Sequence, residues 1–168
     1  MIHFMFFNPS KEEVPMKHLF NSAKALRSLA AALLIVTASP AFAANTPESL
    51  NGATVVNADK AKELMAGGAK MIDTRVAAEF AEAHIKGAIN VPYKEKSAKA
   101  ADFDAAQDSF DLAKLPADKN AAIITQCNGA ECWKSYKGAV AAIKAGYKKI
   151  YWFRDGFPAW KAKGYPVE

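Results

Sequence analysis

Short apolar runs alternate along the chain with segments whose apolar residues recur every three or four positions. The short runs are typical of buried strands, and the spacing of three or four is typical of amphipathic helices. This alternation predicts strands over residues 53–56, 70–73, 88–91, 121–126 and 150–153, helices over 58–65, 77–83 and 157–163, and a partly helical stretch over 103–114. Strands separated by helices favour an α/β fold in which a parallel sheet is covered by helices on both faces.

The longest amphipathic segment begins near residue 133. Its large apolar side chains share one helix face and are Trp133, Tyr136, Val140, Ile143 and Tyr147. Lys134, Lys137 and Lys144 fall elsewhere, so we expect the aromatic face to belong to the core. Gly138 inside this helix costs about 1 kcal/mol relative to alanine, which indicates close packing against a neighbouring element.

Cys127 lies where the strand over residues 121–126 meets the loop that leads into this helix. The first backbone N–H groups of a helix have no partner within it and favour negative charge in front of them. Such surroundings lower the pKa of a thiol below its free value of about 8.5 and favour the nucleophilic thiolate. We therefore predict a chemical role for Cys127. The alternative is that Cys127 is a small buried apolar residue at a strand end.

The amino-terminal region has the pattern of a secretory signal peptide. A basic stretch follows Met16, an apolar core spans residues 29–36, and Ala41-Phe42-Ala43 resembles a cleavage site. The apolar core is shorter than the roughly 18 residues of a membrane span. We expect Met16 to be the true start, residues 1–43 to be removed, residues 44–52 to form a linker and residues 53–168 to form one domain in the periplasm or outside the cell.

Charge and composition narrow the range of partners. Leaving out residues 1–43 removes four basic and two acidic side chains, so the remaining 125 residues carry 18 basic and 15 acidic groups and a net charge of +3. The lysines are scattered among acidic residues, and no basic patch with interleaved aromatic residues occurs, so nucleic acid is not an expected partner. A weakly positive surface suits a small anionic substrate. We expect a monomer without membrane attachment after cleavage.

Several short motifs accompany the cysteine loop. They are Ile72-Asp73-Thr74-Arg75, Glu79-Phe80, the run from His84 to Pro92, Asp155-Gly156, Trp160, and Gly164-Tyr165-Pro166-Val167. In this order, from about residue 53 to the carboxyl terminus, they resemble the rhodanese family of sulfurtransferases. The resemblance implies a five-stranded parallel sheet and a loop cysteine that accepts a sulfane sulfur from a donor such as thiosulfate, becomes a persulfide and passes the sulfur to cyanide or a thiol. It implies no cofactor and no metal.

The resemblance also implies that the loop after the cysteine binds the substrate. The predicted binding residues are Asn128, Gly129, Ala130, Glu131, Cys132, Trp133, Lys134 and Arg75. The chain departs from the family pattern here, because Cys132 stands where an arginine is common and the loop is two residues longer. Lys134 or Arg75 is then the expected source of positive charge. Alternatively, Lys134 is a solvated helix residue, and Arg75 holds the scaffold by pairing with Asp73 or Glu79.

The two cysteines leave several functions open. In an oxidising compartment Cys127 and Cys132 are expected to be able to form a disulfide, and Cys132 is also a candidate for resolving a persulfide on Cys127. Cys132 packed under the loop as an apolar residue is the structural alternative. Besides a sulfurtransferase, the chain fits a non-catalytic module that binds or carries sulfur for an exported protein, or a thiol–disulfide redox protein. His84 is expected to be a structural hydrogen-bonding residue rather than a metal ligand.

Overall fold

The computed structural model describes residues 45–168, so the predicted signal peptide lies outside the described residues. Five parallel strands form one sheet in the order β1-β5-β4-β2-β3. The strands are β1 (Thr54–Val55), β2 (Lys70–Asp73), β3 (Ile89–Asn90), β4 (Ala122–Gln126) and β5 (Lys149–Phe153). The helices are α1 (Ala58–Ala66), α2 (Ala77–Glu82), α3 (Trp133–Lys144) and α4 (Gly156–Ala162). The predicted α/β fold is confirmed, and the strands and the three shorter helices begin and end within one residue of the predicted bounds.

The predicted partly helical stretch over residues 103–114 contains two short 3-10 turns, Ala105–Gln107 and Leu112–Lys114. The cause is local, because the carboxylates of Asp104 and Asp111 each accept a hydrogen bond from the backbone N–H two residues further on. Aspartate in this arrangement supports a tight turn in place of a continuing helix.

The carboxyl ends of three neighbouring strands lie side by side. In the ladder, Gln126 at the end of β4 is opposite Asp73 of β2 on one side and Phe153 of β5 on the other. The residues that follow these strands therefore meet at one edge of the sheet, with Cys127 between Thr74 and Arg154. Ligands of parallel α/β sheets bind at this edge.

Consecutive residues of β2 and β4 belong to two different apolar clusters. Met71 and Ile124 belong to the apolar cluster that contains residues of α1 and α4, whereas Ile72 and Ile123 belong to the cluster that contains residues of α3. This alternation follows from the two-residue period of a strand, and both faces are apolar because helices cover both. The predicted core positions on α4 are confirmed, since Phe157 and Trp160 are buried in the first cluster.

The close packing predicted at Gly138 is against the end of β2. A Cβ atom at Gly138 would lie 3.2 Å from Cγ2 of Thr74 and 3.6 Å from the ring of Phe110. The hydroxyl of Thr74 donates to the carbonyl oxygen of Gln126 at 2.9 Å. Gly138 thus allows α3 to pack closely on the strand ends beside Cys127.

The α3 helix also buries a lysine that the periodic pattern did not single out. The side chain of Lys137 is fully buried, with Nζ 2.8 Å from Oε1 of Glu95, 2.8 Å from Oγ of Ser97 and 3.6 Å from Oδ2 of Asp108. A buried charge is tolerated when it is paired and hydrogen-bonded in this way. The lysine thereby fixes the segment between β3 and β4 to α3.

The carboxylate of Asp108 is the hub of this cluster. It accepts hydrogen bonds from the backbone N–H groups of Lys96 and Ser97, from the Ser97 hydroxyl and from the Tyr93 hydroxyl. Burial alone would raise the pKa of Asp108, but these hydrogen bonds together outweigh burial and hold the pKa well below its usual range. Burial and the Asp108 carboxylate raise the pKa of Tyr93.

Candidate active site

Cys127 and Cys132 are joined by a disulfide bond at the carboxyl end of the central strand. Their Cα atoms are 6.1 Å apart, and neither cysteine of the described chain is a free thiol. Cys127 is 0% exposed, whereas Cys132 is partly exposed. The expected pairing of the two cysteines is therefore present in this structure. Any molecule that approaches the bond meets the Cys132 side first.

The loop between the two cysteines is a tight turn. The backbone N–H of Cys132 donates to the carbonyl oxygen of Gly129 at 3.0 Å, and Gly129 has a φ angle of 123°, which favours glycine. Cys132 is the residue that precedes the first turn of α3, and it makes no side-chain capping hydrogen bond. The partial positive charge of the helix terminus therefore acts most directly at Cys132, while sequence reasoning had assigned it to Cys127.

The backbone of Cys127 is fixed by the beginning of α4. The backbone N–H of Phe157 donates to the carbonyl oxygen of Cys127 at 2.8 Å. Gly156 has a φ angle of 58°, and a Cβ atom there would lie only 2.1 Å from the same carbonyl oxygen. The predicted turn at Asp155-Gly156 thus brings the backbone of Gly156 against the backbone of Cys127, the candidate nucleophile. Only glycine fits at position 156 without moving the Cys127 backbone.

The middle of the loop is held by a residue from the segment that we predicted as a linker. Thr46 is buried, and both its backbone N–H and its hydroxyl donate to the carbonyl oxygen of Ala130, at 2.8 and 2.7 Å. Arg154, which follows β5, donates to the Thr46 hydroxyl and carbonyl oxygen at 3.2 and 2.8 Å. Sequence reasoning missed both residues. Thr46 is 84 positions from Ala130 in the chain, and no local sequence pattern predicts a contact between residues so far apart.

Arg75 takes the scaffold position that we considered as an alternative. Its guanidinium donates to both carboxylate oxygens of Asp73 and to the carbonyl oxygen of Ala83, and it stacks on the ring of Phe157, 4.2 Å from the ring centre. Its side chain is nearly fully buried. The pair with Asp73 neutralises much of its charge. A role of Arg75 in substrate binding remains a prediction.

Two hollows flank the loop, and Asn128 lines both. The hollow on the Cys132 side has a volume of about 270 Å³ and is lined by Glu95, Lys99, Asn128, Glu131, Cys132, Trp133 and Lys134. It brings together five of the predicted binding residues, with two lysines opposed by two glutamates. The other hollow, of about 170 Å³, includes Arg75 and Lys161 but is not lined by either cysteine. The amide of Asn128 donates to Oε1 of Glu79 at 2.6 Å. This hydrogen bond fixes Asn128, the residue that separates the two hollows.

His84 has the structural role that its context predicted. Its Nδ1 lies 2.8 Å from the carbonyl oxygen of Phe80, and its ring stacks on the Phe80 ring with centres 3.6 Å apart. Nε2 lies 3.4 Å from a carboxylate oxygen of Glu168. Across residues 45–168 no three metal-ligating side chains converge, and no helix in that range is long and apolar enough to cross a membrane.

The fold and the site together define the class of protein, which is a parallel α/β domain with a cysteine at the end of its central strand. The family model of the rhodanese-like domain matches residues 57–163, and the chain belongs to that family. This confirms the resemblance that the motifs indicated.

Individual relatives are distant. Thiosulfate sulfurtransferase 16, a chloroplast protein of Arabidopsis thaliana, is 26% identical over 113 residues, which cover 67% of this chain and 91% of that protein. The HTH-type transcriptional regulator Rv0324 of Mycobacterium tuberculosis is 28% identical over 114 residues, and this chain spans only 44% of its length. The crystal structure of the Alr3790 protein from Anabaena matches with a TM-score of 0.51 and 23% identity, covering 67% of this chain and 90% of that one, which shows the shared fold.

Proposed function

We propose that the protein is a sulfurtransferase that moves a sulfane sulfur through a persulfide on Cys127. The observation that carries this proposal is the position of Cys127 at the carboxyl end of the central strand, in a rhodanese-like domain and next to a partly exposed loop. The relative named as a thiosulfate sulfurtransferase matches over most of its length, which supports the same class of reaction.

The reaction is a double displacement. The Cys127 thiolate attacks the outer sulfur of thiosulfate, the sulfur–sulfur bond of the donor breaks, and sulfite leaves with the electron pair. An acceptor such as cyanide or a thiolate then attacks the terminal sulfur of the persulfide and regenerates the Cys127 thiolate. The balanced charges of the hollow beside Cys132 give thiosulfate, a dianion, no special advantage over a neutral or singly charged donor.

Transfer requires prior reduction, because the Cys127 sulfur is bonded to Cys132. A thiolate that attacks the more exposed Cys132 sulfur releases Cys127 as the free thiolate. The same disulfide is consistent with export, since stable disulfides are typical of the periplasm and the extracellular space. We accordingly propose that the mature protein is exported. The amino-terminal sequence of the protein recovered from a periplasmic fraction tests this, and a chain that retains residues 1–43 in the cytoplasm contradicts it.

Intact mass spectrometry of the protein and a sulfite assay, both after incubation with thiosulfate, test the transfer. Reduced wild-type protein is expected to release sulfite, because Cys127 accepts the outer sulfur, and Cys127→Ser is expected to release none. Cys132→Ser removes only the partner sulfur, and it should retain at least part of the sulfur uptake. Equal loss of sulfite release in both variants would contradict a single nucleophile and favour a dithiol mechanism.

The Cys127–Cys132 bond supports one second candidate, a thiol–disulfide redox protein. The reduction potential of the pair separates the two functions. A potential close to that of known exchange proteins, together with reduction or oxidation of a protein substrate and no sulfite release from thiosulfate, would favour redox exchange. A module that holds a persulfide and releases it only to an exported protein would instead show sulfur uptake without turnover of cyanide.

A further inference from the structure

A second cysteine sulfur is bonded to the candidate sulfur carrier. The bond joins Sγ of Cys132 to Sγ of Cys127, the atom that would be the inner sulfur of a persulfide. The hydrogen bond from the Cys132 N–H to the Gly129 carbonyl oxygen closes the turn between the two residues. This hydrogen bond involves only backbone atoms. Reduction of the disulfide therefore leaves the turn closed, and the two sulfur atoms stay close together.

Cys132 lies at the amino terminus of α3. Cys132 directly precedes the first turn of α3, where the helix presents partial positive charge, and its own side chain makes no capping hydrogen bond. Lys99 and Lys134 line the same hollow. The two lysines are balanced by Glu95 and Glu131 in that hollow, so the helix terminus is the feature that stabilises negative charge on the Cys132 sulfur.

We propose that Cys132 is a second catalytic residue that converts the Cys127 persulfide into the Cys127–Cys132 disulfide and releases hydrosulfide. The inference rests on the proposed function, because it begins from the persulfide. The Cys132 thiol passes its proton to the terminal sulfur of the persulfide anion and its sulfur attacks Sγ of Cys127; the bond from Sγ to the terminal sulfur breaks, and the protonated terminal sulfur leaves with the electron pair as hydrosulfide. The sulfane sulfur is reduced by two electrons, and the two cysteine thiols are oxidised to the disulfide.

This internal reaction competes well with transfer to an external acceptor. Cys127 is fully buried in the disulfide form, so an external nucleophile has little direct access to its side chain. Cys132 is already held five residues away in a closed turn. A well-placed intramolecular group behaves as if present at a very high concentration, and the chain itself therefore supplies the fastest acceptor.

A dithiol reductant closes the cycle. Its first thiolate attacks the partly exposed Cys132 sulfur and forms a mixed disulfide, and Cys127 leaves as the thiolate. Its second thiol then releases Cys132 and completes the oxidation of the dithiol. The net reaction consumes one sulfane sulfur and one dithiol and yields one hydrosulfide and one oxidised dithiol. The protein is thus a dithiol-dependent producer of hydrosulfide, in addition to a sulfur carrier.

A single-turnover experiment tests this step. Reduced protein is desalted, mixed with one equivalent of thiosulfate without added thiol or cyanide, and analysed for sulfite, hydrosulfide and intact mass. Wild-type protein is expected to release sulfite and hydrosulfide in equal amounts and to lose both free thiols. Cys132→Ser should release sulfite alone and keep the extra sulfur atom. A wild-type protein that keeps the extra sulfur and a free second thiol overturns the inference but leaves the proposed function intact.

The reverse reaction gives a test that needs no sulfane donor. Oxidised wild-type protein is incubated with sodium sulfide, alkylated and digested, and the added sulfur is located by peptide mass spectrometry. Attack at the more exposed Cys132 sulfur places sulfur on Cys132, whereas the exact reverse of the proposed step places sulfur on Cys127 and frees the Cys132 thiol, so we expect a measurable fraction of the added sulfur on Cys127. Absence of any added sulfur on Cys127 overturns the inference. If neither wild-type nor Cys132→Ser protein releases sulfite in the forward experiment, the proposed function fails, and the reverse experiment still decides the role of Cys132.

Discussion

Replacing Gly156 by alanine tests whether the start of α4 fixes the candidate nucleophile. A Cβ atom at this position would lie 2.1 Å from the carbonyl oxygen of Cys127 and 3.1 Å from the backbone nitrogen of Gly129. Normal contacts of a Cβ atom begin near 3.0 Å, so the two backbones must separate by roughly 1 Å. Because these atoms belong to backbone, no side-chain rotation relieves the clash. The cysteine loop itself must move.

The expected loss of folding stability in Gly156→Ala has two parts. An alanine at the φ angle of 58° costs roughly 1–2 kcal/mol, because its Cβ atom is too close to the following carbonyl oxygen. The forced shift of a packed backbone adds roughly 1–3 kcal/mol, the usual range for overpacking. We therefore expect Gly156→Ala to lower the free energy of unfolding by about 2–5 kcal/mol. The displaced loop should also slow sulfite release from thiosulfate.

Gly164→Ala is the matched control. Gly164 has a similar φ angle of 66°, but a Cβ atom there meets nothing within 4 Å. Its expected cost is only the backbone term of roughly 1–2 kcal/mol, and sulfite release should be unchanged. Urea unfolding of the reduced proteins measures the difference in stability, and single-turnover sulfite release measures the effect on the site. Equal stability and equal sulfite release in the two variants would refute the reasoning.

Two further predictions concern the buried charge cluster. Lys137→Met should lower the free energy of unfolding by about 3–5 kcal/mol in urea, because it leaves Glu95 and Asp108 without their buried cation, whereas Lys144→Met at an exposed position of the same helix should change it by less than about 0.5 kcal/mol. Since the pKa of Asp108 is depressed in the folded state, its stabilising contribution is fully present above about pH 4, the ordinary range of an unfolded carboxyl, and is lost as the pH falls through the folded-state pKa. The temperature of thermal unfolding should therefore fall as the pH is lowered from neutral to strongly acidic, and it should fall less in Asp108→Asn than in the wild type. An identical fall in both proteins would contradict the prediction.

Much of the fold was predictable from local patterns. The two-residue period of strands and the three-to-four spacing of helices depend on backbone geometry within each segment, so the apolar positions around β4 and α3 predicted these elements closely. The same strand end and helix start led us to predict a chemical role for Cys127, which stays a prediction. The stretch over residues 103–114 is partly helical as predicted, in the form of two short 3-10 turns, because aspartate side chains bind backbone N–H groups there.

The surroundings of Cys127 were less predictable. Periodicity assigned Lys137 to a polar position, yet the folded chain buries it, because Glu95 and Asp108 come from a different segment that happens to cover this part of α3. Thr46 was assigned to a linker, yet it binds Ala130 of the cysteine loop. These contacts join residues far apart in the chain and leave no periodic signal.

The sequence alone determined the order of strands and helices along the chain, the rhodanese-like character of the domain and the position of a cysteine at a strand end, because each of these depends on neighbouring residues or short motifs. Only the tertiary structure decided that Cys127 is buried and bonded to a more exposed Cys132, and that the turn between them is held by Thr46, Arg154 and α4. The physical reason is that burial and bonding depend on the direction in which each side chain points and on which distant backbone packs against it. Those quantities are fixed only when the whole chain has folded.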